Sequence, residues 1–209
     1  MTNKKFDIIE FLQTRPFSWS AKSSFDWDKE QWYQKYILGI KQPDSPELLF
    51  GKKFADSCEI RKPLAPVTLL SVVEHEFRFR LGDIPIIGYA DTFEKKTKDH
   101  TGEFKTGVKI WDQKRVDNHG QISLYALGNY LLEKIKPEKC RFFLEWIPTR
   151  KVPRKNNDYS GFDYDIDFRD IEPMVIHFET KRTTRQVLEF GVEIKNTLRE
   201  MEQYVRNHA

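Results

Sequence analysis

The sequence predicts an α/β protein in which a mixed β-sheet is flanked by helices. Three observations carry this expectation. Val73, His75, Phe77 and Phe79 alternate with Glu74, Glu76, Arg78 and Arg80, the period of two typical of a half-buried strand. Ile122, Tyr125, Ala126, Asn129 and Leu132 recur at helical spacing until Pro137 stops the run. The segments follow the order helices, paired strands, helix, strands, helix, which is not an alternating βαβ array. Neither a GxGxxG nor a Walker A sequence contradicts that order.

Each element has its own local signal. Residues 6–13 read as a short amphipathic helix ended by Pro16. A second helix is expected after Ser20 or Ser23, either of which can cap it, with Gly39 closing the segment. Phe25, Trp32, Tyr33 and Tyr36 fall near helical spacing there and suit core packing better than base stacking. Residues 47–59 form a third helix, stopped before Pro63 and Pro66. The strand that follows Leu69 turns at Gly82-Asp83 into a partner at 84–93. A polar turn at 95–102 leads to a third strand at 103–110, giving an antiparallel meander. A helix over 118–136, strands at 141–147 and 174–178, and a helix from Thr183 or Thr184 to near Tyr204 complete the chain.

Composition limits the function classes. The chain has 209 residues, 39% hydrophobic and 14% aromatic, an aromatic content that argues against disorder. Lys plus Arg (35) less Asp plus Glu (32) gives +3, which permits an anionic partner without demanding one. Only Cys58 and Cys140 occur, neither with a Cys or His at metal-ligand spacing, so a four-thiolate zinc site or an iron–sulfur cluster within one chain is excluded. The two thiols read as reduced, and no window approaches about 18 consecutive apolar residues. A cytoplasmic protein without signal peptide or membrane span is therefore expected, folded as one domain over 1–209. Its parts are N-terminal helices (1–66), a sheet and helix bearing the candidate chemistry (67–150), and C-terminal strands and helix (151–209).

The chemistry concentrates in Gly88-Tyr-Ala-Asp91, Glu103-Phe-Lys105 and Gln121-Ile-Ser-Leu-Tyr125. Glu103 and Lys105 lie two apart and share one face of a strand. If that strand pairs with the one ending at Asp91, an acid from each and a lysine converge. Two carboxylates beside an ammonium suit Mg²⁺ or Mn²⁺, which one or two carboxylates commonly hold while phosphate and water complete the shell. Such an ion polarises a phosphoryl oxygen, and the lysine stabilises developing charge or orients water. A surface strand carrying a Glu–Lys pair has the same spacing, so spacing alone does not decide.

The surrounding motifs add specificity. Phe17-Ser-Trp-Ser20, Trp32-Tyr-x-x-Tyr36-x-x-Gly39, Leu49-Phe-Gly51, the acidic strand at Glu74 and Glu76, Gly88-Tyr-Ala-Asp91, Glu103-Phe-Lys105-Thr-Gly107 and Gln121-x-x-x-Tyr125-Ala126 stand in one order over residues 17–126. In that order they resemble the PD-(D/E)XK nuclease superfamily, in its RecB-like and lambda-exonuclease-like branches. The resemblance implies a restriction-endonuclease-like core and a metal-dependent deoxyribonuclease, of exonuclease type, acting in recombination, repair or a phage or defence setting. It implies Asp91 and Glu103 as metal ligands with the backbone carbonyl of Phe104, Lys105 as the catalytic lysine, and Gln121 and Tyr125 as groups that shape the site. A further acid would be Glu76 or Glu74, with Glu76 preferred as nearer the Asp91 hairpin register. The histidine that many members carry after a glycine on the third helix is absent from Gly51-Lys-Lys-Phe-Ala55.

Several features are read more plainly. Asp163-x-Asp165-x-Asp167 imitates a calcium loop, but Phe168 stands where that loop needs glycine, so an amphipathic strand is expected. Arg150, Lys151, Arg154 and Lys155 form a basic loop that suits solvent or phosphate, and His119 reads as a solvated helix cap. Lys52, Lys53, Lys95, Lys96, Lys98, Lys109, Lys114 and Arg115 flank the site in sequence, favouring a DNA path. The rival readings are a catalytically inactive nucleic-acid-binding module of the same fold and a structural protein.

Overall fold

A computed structural model of the chain describes residues 6–153, 161–169 and 172–208. Short polar side chains set the N-terminal helices. Asp7 caps α1 (Ile8–Thr14), accepting from the amides of Ile9 and Glu10, and Ser18 caps α2 (Trp19–Trp27) through the Ala21 amide. Ser20 and Ser23, the expected caps, lie inside α2. Asp28 ends α2 and caps α3 (Lys29–Trp32), which passes into a π-helical turn at Tyr33–Ile37. Gly39 follows in the left-handed region at φ +70°. Ser45 caps α4 (Pro46–Glu59), whose proline occupies the first turn, where a missing N–H is harmless.

The strands follow. β1 (Val72–Leu81) and β2 (Ile84–Phe93) form an antiparallel hairpin around Gly82 at φ +66°. β3 spans His100–Gly107, not 103–110, because Thr101 and Gly102 pair with Phe93 and Thr92 while 108–110 leave the sheet. β4 (Arg141–Pro153) runs parallel to β3 over its first eight residues. It also pairs antiparallel with β5 (Phe162–Ile166), and β6 (Phe168–Arg169) and β7 (Glu172–Pro173) form a separate small ladder. β8 (Ile176–Thr180) pairs with β4 and begins two residues later than the expected strand. The result is a six-stranded mixed sheet, mostly antiparallel, among the described residues.

The helix expected over 118–136 is present but shorter, running from 120 to 133. α5 (Gln113–Asp117) precedes α6 (Gly120–Gly128), which continues into a π-helical turn at Asn129–Glu133. α7 (Thr184–His208) turns one stripe inward through Val187, Phe190, Ile194, Leu198, Met201 and Val205. That stripe joins Phe77, Phe79, Ile86, Ile122 and Leu124 in the larger core on one face of the sheet. On the other face, Phe50, Phe54 and Cys58 of α4 pack on Phe104, Phe143 and Ile147. Both cysteines are buried free thiols. In β5, Tyr164 and Ile166 are buried while Asp163 and Asp165 are exposed, the pattern of an amphipathic strand. Arg150 and Lys151 belong to β4, and Arg154 and Lys155 lie outside the described residues.

Candidate active site

One irregularity of the sheet creates the site. β2 and β3 pair only at Thr92–Gly102 and Phe93–Thr101. Continuing that register would set Asp91 opposite Glu103, but the strands have already separated there. Asp91 fills the opening, its Oδ2 accepting the backbone N–H of Phe104. The Phe104 ring packs against Phe54 on the α4 side. α6 lies close to β2 because Gly88 has no side chain: a Cβ there would stand 2.8 Å from Leu124 Cδ2 and 3.6 Å from Tyr125 Cε1. Gln121 and Tyr125, four apart on one helical face, thereby reach the opening.

A closed ring of hydrogen bonds joins four side chains. Lys105 Nζ donates to Glu103 Oε1 and, at 2.9 Å, to Gln121 Oε1. Gln121 Nε2 donates to Tyr125 Oη at 2.6 Å. Tyr125 Oη lies 2.6 Å from Glu103 Oε2 and also against the Tyr89 carbonyl, and its single hydrogen serves one of them at a time. Glu103 is 2% exposed and Tyr125 fully buried, so the ring is sheltered from solvent competition. Burial, with the negative charges of Glu103 and Asp91, holds the Tyr125 phenol well above its ordinary pKa and keeps it protonated.

Asp91 senses the same crowding. Burial first, and the Glu103 carboxylate second, push its pKa up to about 8, against the pull of Lys105 and the Phe104 amide. Two acids thus crowd one ammonium, and Asp91 relieves the crowding by holding its proton to a higher pH, where a bound divalent cation would instead favour its carboxylate form. Among the described residues no group of three or more His, Cys, Asp or Glu side chains is arranged to hold a metal. The site's own acids, Asp91 and Glu103, are therefore too few to cage a metal alone, although Mg²⁺ commonly takes only one or two carboxylates.

The two candidate acids of β1 have different surroundings. Across the hairpin Glu76 pairs with Tyr89, and its carboxylate accepts from Arg78 and from the Tyr89 hydroxyl. Between the pairs Val73–Thr92 and His75–Ala90, Glu74 falls across from Asp91, so Glu74 lies nearer to Asp91 along the hairpin than Glu76 does. Glu74 shares a small cavity of about 90 Å³ with Asp91 and Glu59. Its hydrogen bond with Glu59 raises its pKa. Glu74 also adopts φ +57°, a costly conformation inside a strand for a residue with a Cβ. Sequence reading passed over Glu59, since a glutamate ending a helix carries no signal of what it will face.

His119 is no solvated cap. Its side chain makes no capping bond, its Nε2 is buried without a partner, and its ring meets Trp19 and Trp111 edge-on. Burial, then the charges of Lys105, Arg115 and Arg182, lower its pKa to about 3. The flanking cations are partly neutralised. Lys52 pairs with Asp44, Lys98 with Glu133, and Arg115 stacks 3.7 Å from the Trp111 ring centre.

No protein-family model matches the chain, and no curated protein matches it. Solved structures do. A Eubacterium rectale protein assigned as an exonuclease superposes with a TM-score of 0.52 at 14% identity, over 97% of this chain and 86% of that one. A phage-related exonuclease from Haemophilus somnus 129PT gives 0.48 at 10% identity, over 91% and 84%. The first likeness establishes a shared fold, a mixed sheet flanked by helices.

Proposed function

We propose that the chain is a divalent-metal-dependent deoxyribonuclease that hydrolyses DNA phosphodiester bonds. The observation that carries this reading is the closed Glu103–Lys105–Gln121–Tyr125 ring beside Asp91, at the point where β2 and β3 part. A strand decorated with a Glu–Lys pair has no reason to bury the glutamate under a tyrosine while a glutamine holds the half-buried lysine against it. Asp91 and Glu103, with the Phe104 carbonyl, would hold Mg²⁺ or Mn²⁺, and Glu74 would support Asp91 from across the hairpin. When bound, the ion supplies Lewis acidity toward a phosphoryl oxygen and acidifies water.

The chain's own groups do the rest. Lys105 uses two of its three N–H donors on Glu103 and Gln121, so the third can reach a water or a phosphate oxygen. Gln121 fixes the direction of that ammonium, and Tyr125 holds the second oxygen of Glu103. The exonuclease mode and a role in recombination, repair or phage-related processing are the finer part of this reading. They draw on the sequence resemblance and on the exonuclease assignment of the Eubacterium rectale protein of like fold.

End-labelled linear and closed circular DNA, each incubated with Mg²⁺, Mn²⁺ or chelator, test the proposal. Metal-dependent loss of the linear substrate with the circle intact is expected. Cutting of the circle would replace the exonuclease mode with an endonuclease one. DNA binding that ignores chelator, with no cleavage, would point to a binding module. Among the described residues no helix is long and apolar enough to cross a membrane.

A further inference from the structure

The chain leaves the sheet just after Lys105, and the segment that joins β3 to α5 turns aliphatic side chains outward. Val108 is 57% exposed and Ile110 72%, whereas Trp111 beside them is buried with Val116, Leu144 and Trp146. Three ties hold the segment in this shape. Trp146 Nε1 donates to the Gly107 carbonyl at 2.9 Å, and Arg115 Nη1 donates to the Ile110 carbonyl at 3.1 Å. The Arg115 guanidinium also lies over the Trp111 ring. An exposed aliphatic residue standing alone needs no explanation, but here two share one anchored tip.

Charge surrounds that tip. Residues 105–115 carry Lys105, Lys109, Lys114 and Arg115 against one acid, Asp112, which is engaged in capping α5 through the Arg115 amide. Lys52 and Lys98 have carboxylate partners, but among the described residues Lys109 and Lys114 have none. The tip also lies close to the candidate active site. Five residues separate Ile110 from Lys105, so their Cα atoms stand within roughly 18 Å, about five base pairs of B-DNA. The far end of the segment returns to the same place, since Trp111 meets the ring of His119 at 5.0 Å. His119 in turn precedes by two residues the Gln121 that holds Lys105.

We infer that residues 108–115 dock the open end of a DNA duplex, with Val108 and Ile110 against the exposed face of the terminal base pair and Lys109 and Lys114 on the flanking phosphates. The inference rests on the nuclease reading and deepens it by naming a substrate class, double-stranded ends. A duplex end joins a flat apolar face to an anionic rim, the complement of an apolar tip among cations. Along its length a duplex offers phosphates and groove edges instead. Aliphatic side chains are among those that proteins press against base steps. The core of a protein–protein interface is a poorer match, because lysine is depleted there.

Two binding measurements in chelator test this, independently of cleavage. Fluorescence anisotropy compares an internally labelled blunt duplex with the same duplex closed at both ends by hexaethylene glycol linkers. The wild type is expected to bind the open duplex about tenfold more tightly. Ile110→Leu should keep that preference, and Val108→Ser combined with Ile110→Ser should lose it. All the substituted side chains are exposed, so the variants should give the far-UV circular dichroism of the wild type. Equal affinity of the wild type for both duplexes, or an undiminished preference in the double serine variant, would overturn the inference. On the open duplex, Lys109→Ala and Lys114→Ala should each lower the slope of log K against log salt concentration by about 0.9. Unchanged slopes in both would overturn the docking as well. End preference with no cleavage under any metal would sink the nuclease reading and leave the docking surface standing. Metal-dependent cleavage without end preference would do the reverse.

Discussion

Lys105 is the residue on which the proposed chemistry turns, and its surroundings say what removing it does. Its ammonium balances Glu103 and is held in direction by Gln121, so Lys105→Ala removes a donor aimed at the reacting phosphate while the strand that bears it stays paired with β4. Cleavage should fall by at least about 100-fold, the scale of losing one preorganised charge-stabilising donor. Far-UV circular dichroism and DNA affinity in chelator should change little. Full residual activity would remove Lys105 from the mechanism. The two acids of β1 divide in a similar test. Glu74 sits opposite Asp91 and shares its cavity, whereas Glu76 is occupied by Arg78 and Tyr89. Glu74→Gln should raise the Mg²⁺ concentration for half-maximal cleavage by about 10–100-fold, as loss of a supporting carboxylate does. Glu76→Gln should shift it by less than about threefold, and a metal titration of cleavage rate checks both. Spacing places Glu74 and Glu76 on one face without ranking them, whereas the hairpin register, fixed by how Gly82 turns the chain, gives each a different neighbour across β2.

At the scale of elements, the contacts that position the site are made by glycines facing large side chains. Gly120 opens α6 directly under the Trp19 indole, and a Cβ there would lie 2.2 Å from Cζ3 and 2.3 Å from Cη2. Trp19 borders open cavities, but moving into them breaks its edge contact with His119 and its packing on Phe190, 6.3 Å from its ring centre. Gly120→Ala gains helix propensity of about 1 kcal/mol but forces overpacking that costs about 1–3 kcal/mol. Overpacking should win because the ring can clear the new methyl only by giving up its contacts with His119 and Phe190. Urea unfolding should therefore show net destabilisation, with lower activity as the start of α6 shifts away from Lys105. Unchanged stability would mean that Trp19 relocates freely. The period-two pattern of β1, the full extent of β2 and the start of α7 were legible in the sequence, from burial on one face that writes itself as periodicity and from polar residues that open a helix. Helix ends were not. Asp28 both terminates α2 and caps α3, and Ser18 caps a helix that Ser20 and Ser23 imitate equally well, so the choice among neighbouring polar residues was made by packing. The splay between β2 and β3 left no periodic trace at all, since Asp91 and Glu103 keep their alternation while the ladder between them opens.

Across the whole molecule, the ordered set of motifs made the mixed sheet and the convergence of Glu103, Lys105, Gln121 and Tyr125 predictable, while buried charge made itself known only in three dimensions. His119 is the clearest case, with a consequence for stability against pH. In the unfolded chain its imidazole titrates near 6.5. In the fold its pKa is about 3, because burial strips its solvent and Lys105, Arg115 and Arg182 repel a proton. Below pH 6.5 the unfolded chain takes up a proton that the fold refuses. This stabilisation is therefore fully present above about pH 6.5 and is lost progressively as pH falls toward 3. Burial also lowers His75 and His100, in the same sense. Asp91 acts oppositely: held up to about 8, it keeps a proton that the unfolded chain releases, so its contribution shrinks as pH rises from about 4 to 8. The two tendencies overlap, and the wild type's own pH profile cannot separate them. A difference can. His119→Gln keeps a polar side chain of similar size and does not titrate, so the wild-type minus variant free energy of unfolding isolates the imidazole. Between pH 7 and 4.5 that difference should fall by about 2 kcal/mol, measured by urea denaturation in chelator. Parallel profiles for the two proteins would show that His119 titrates in the fold as it does in water, and that the cluster around Trp19, Trp111 and Lys105 admits solvent.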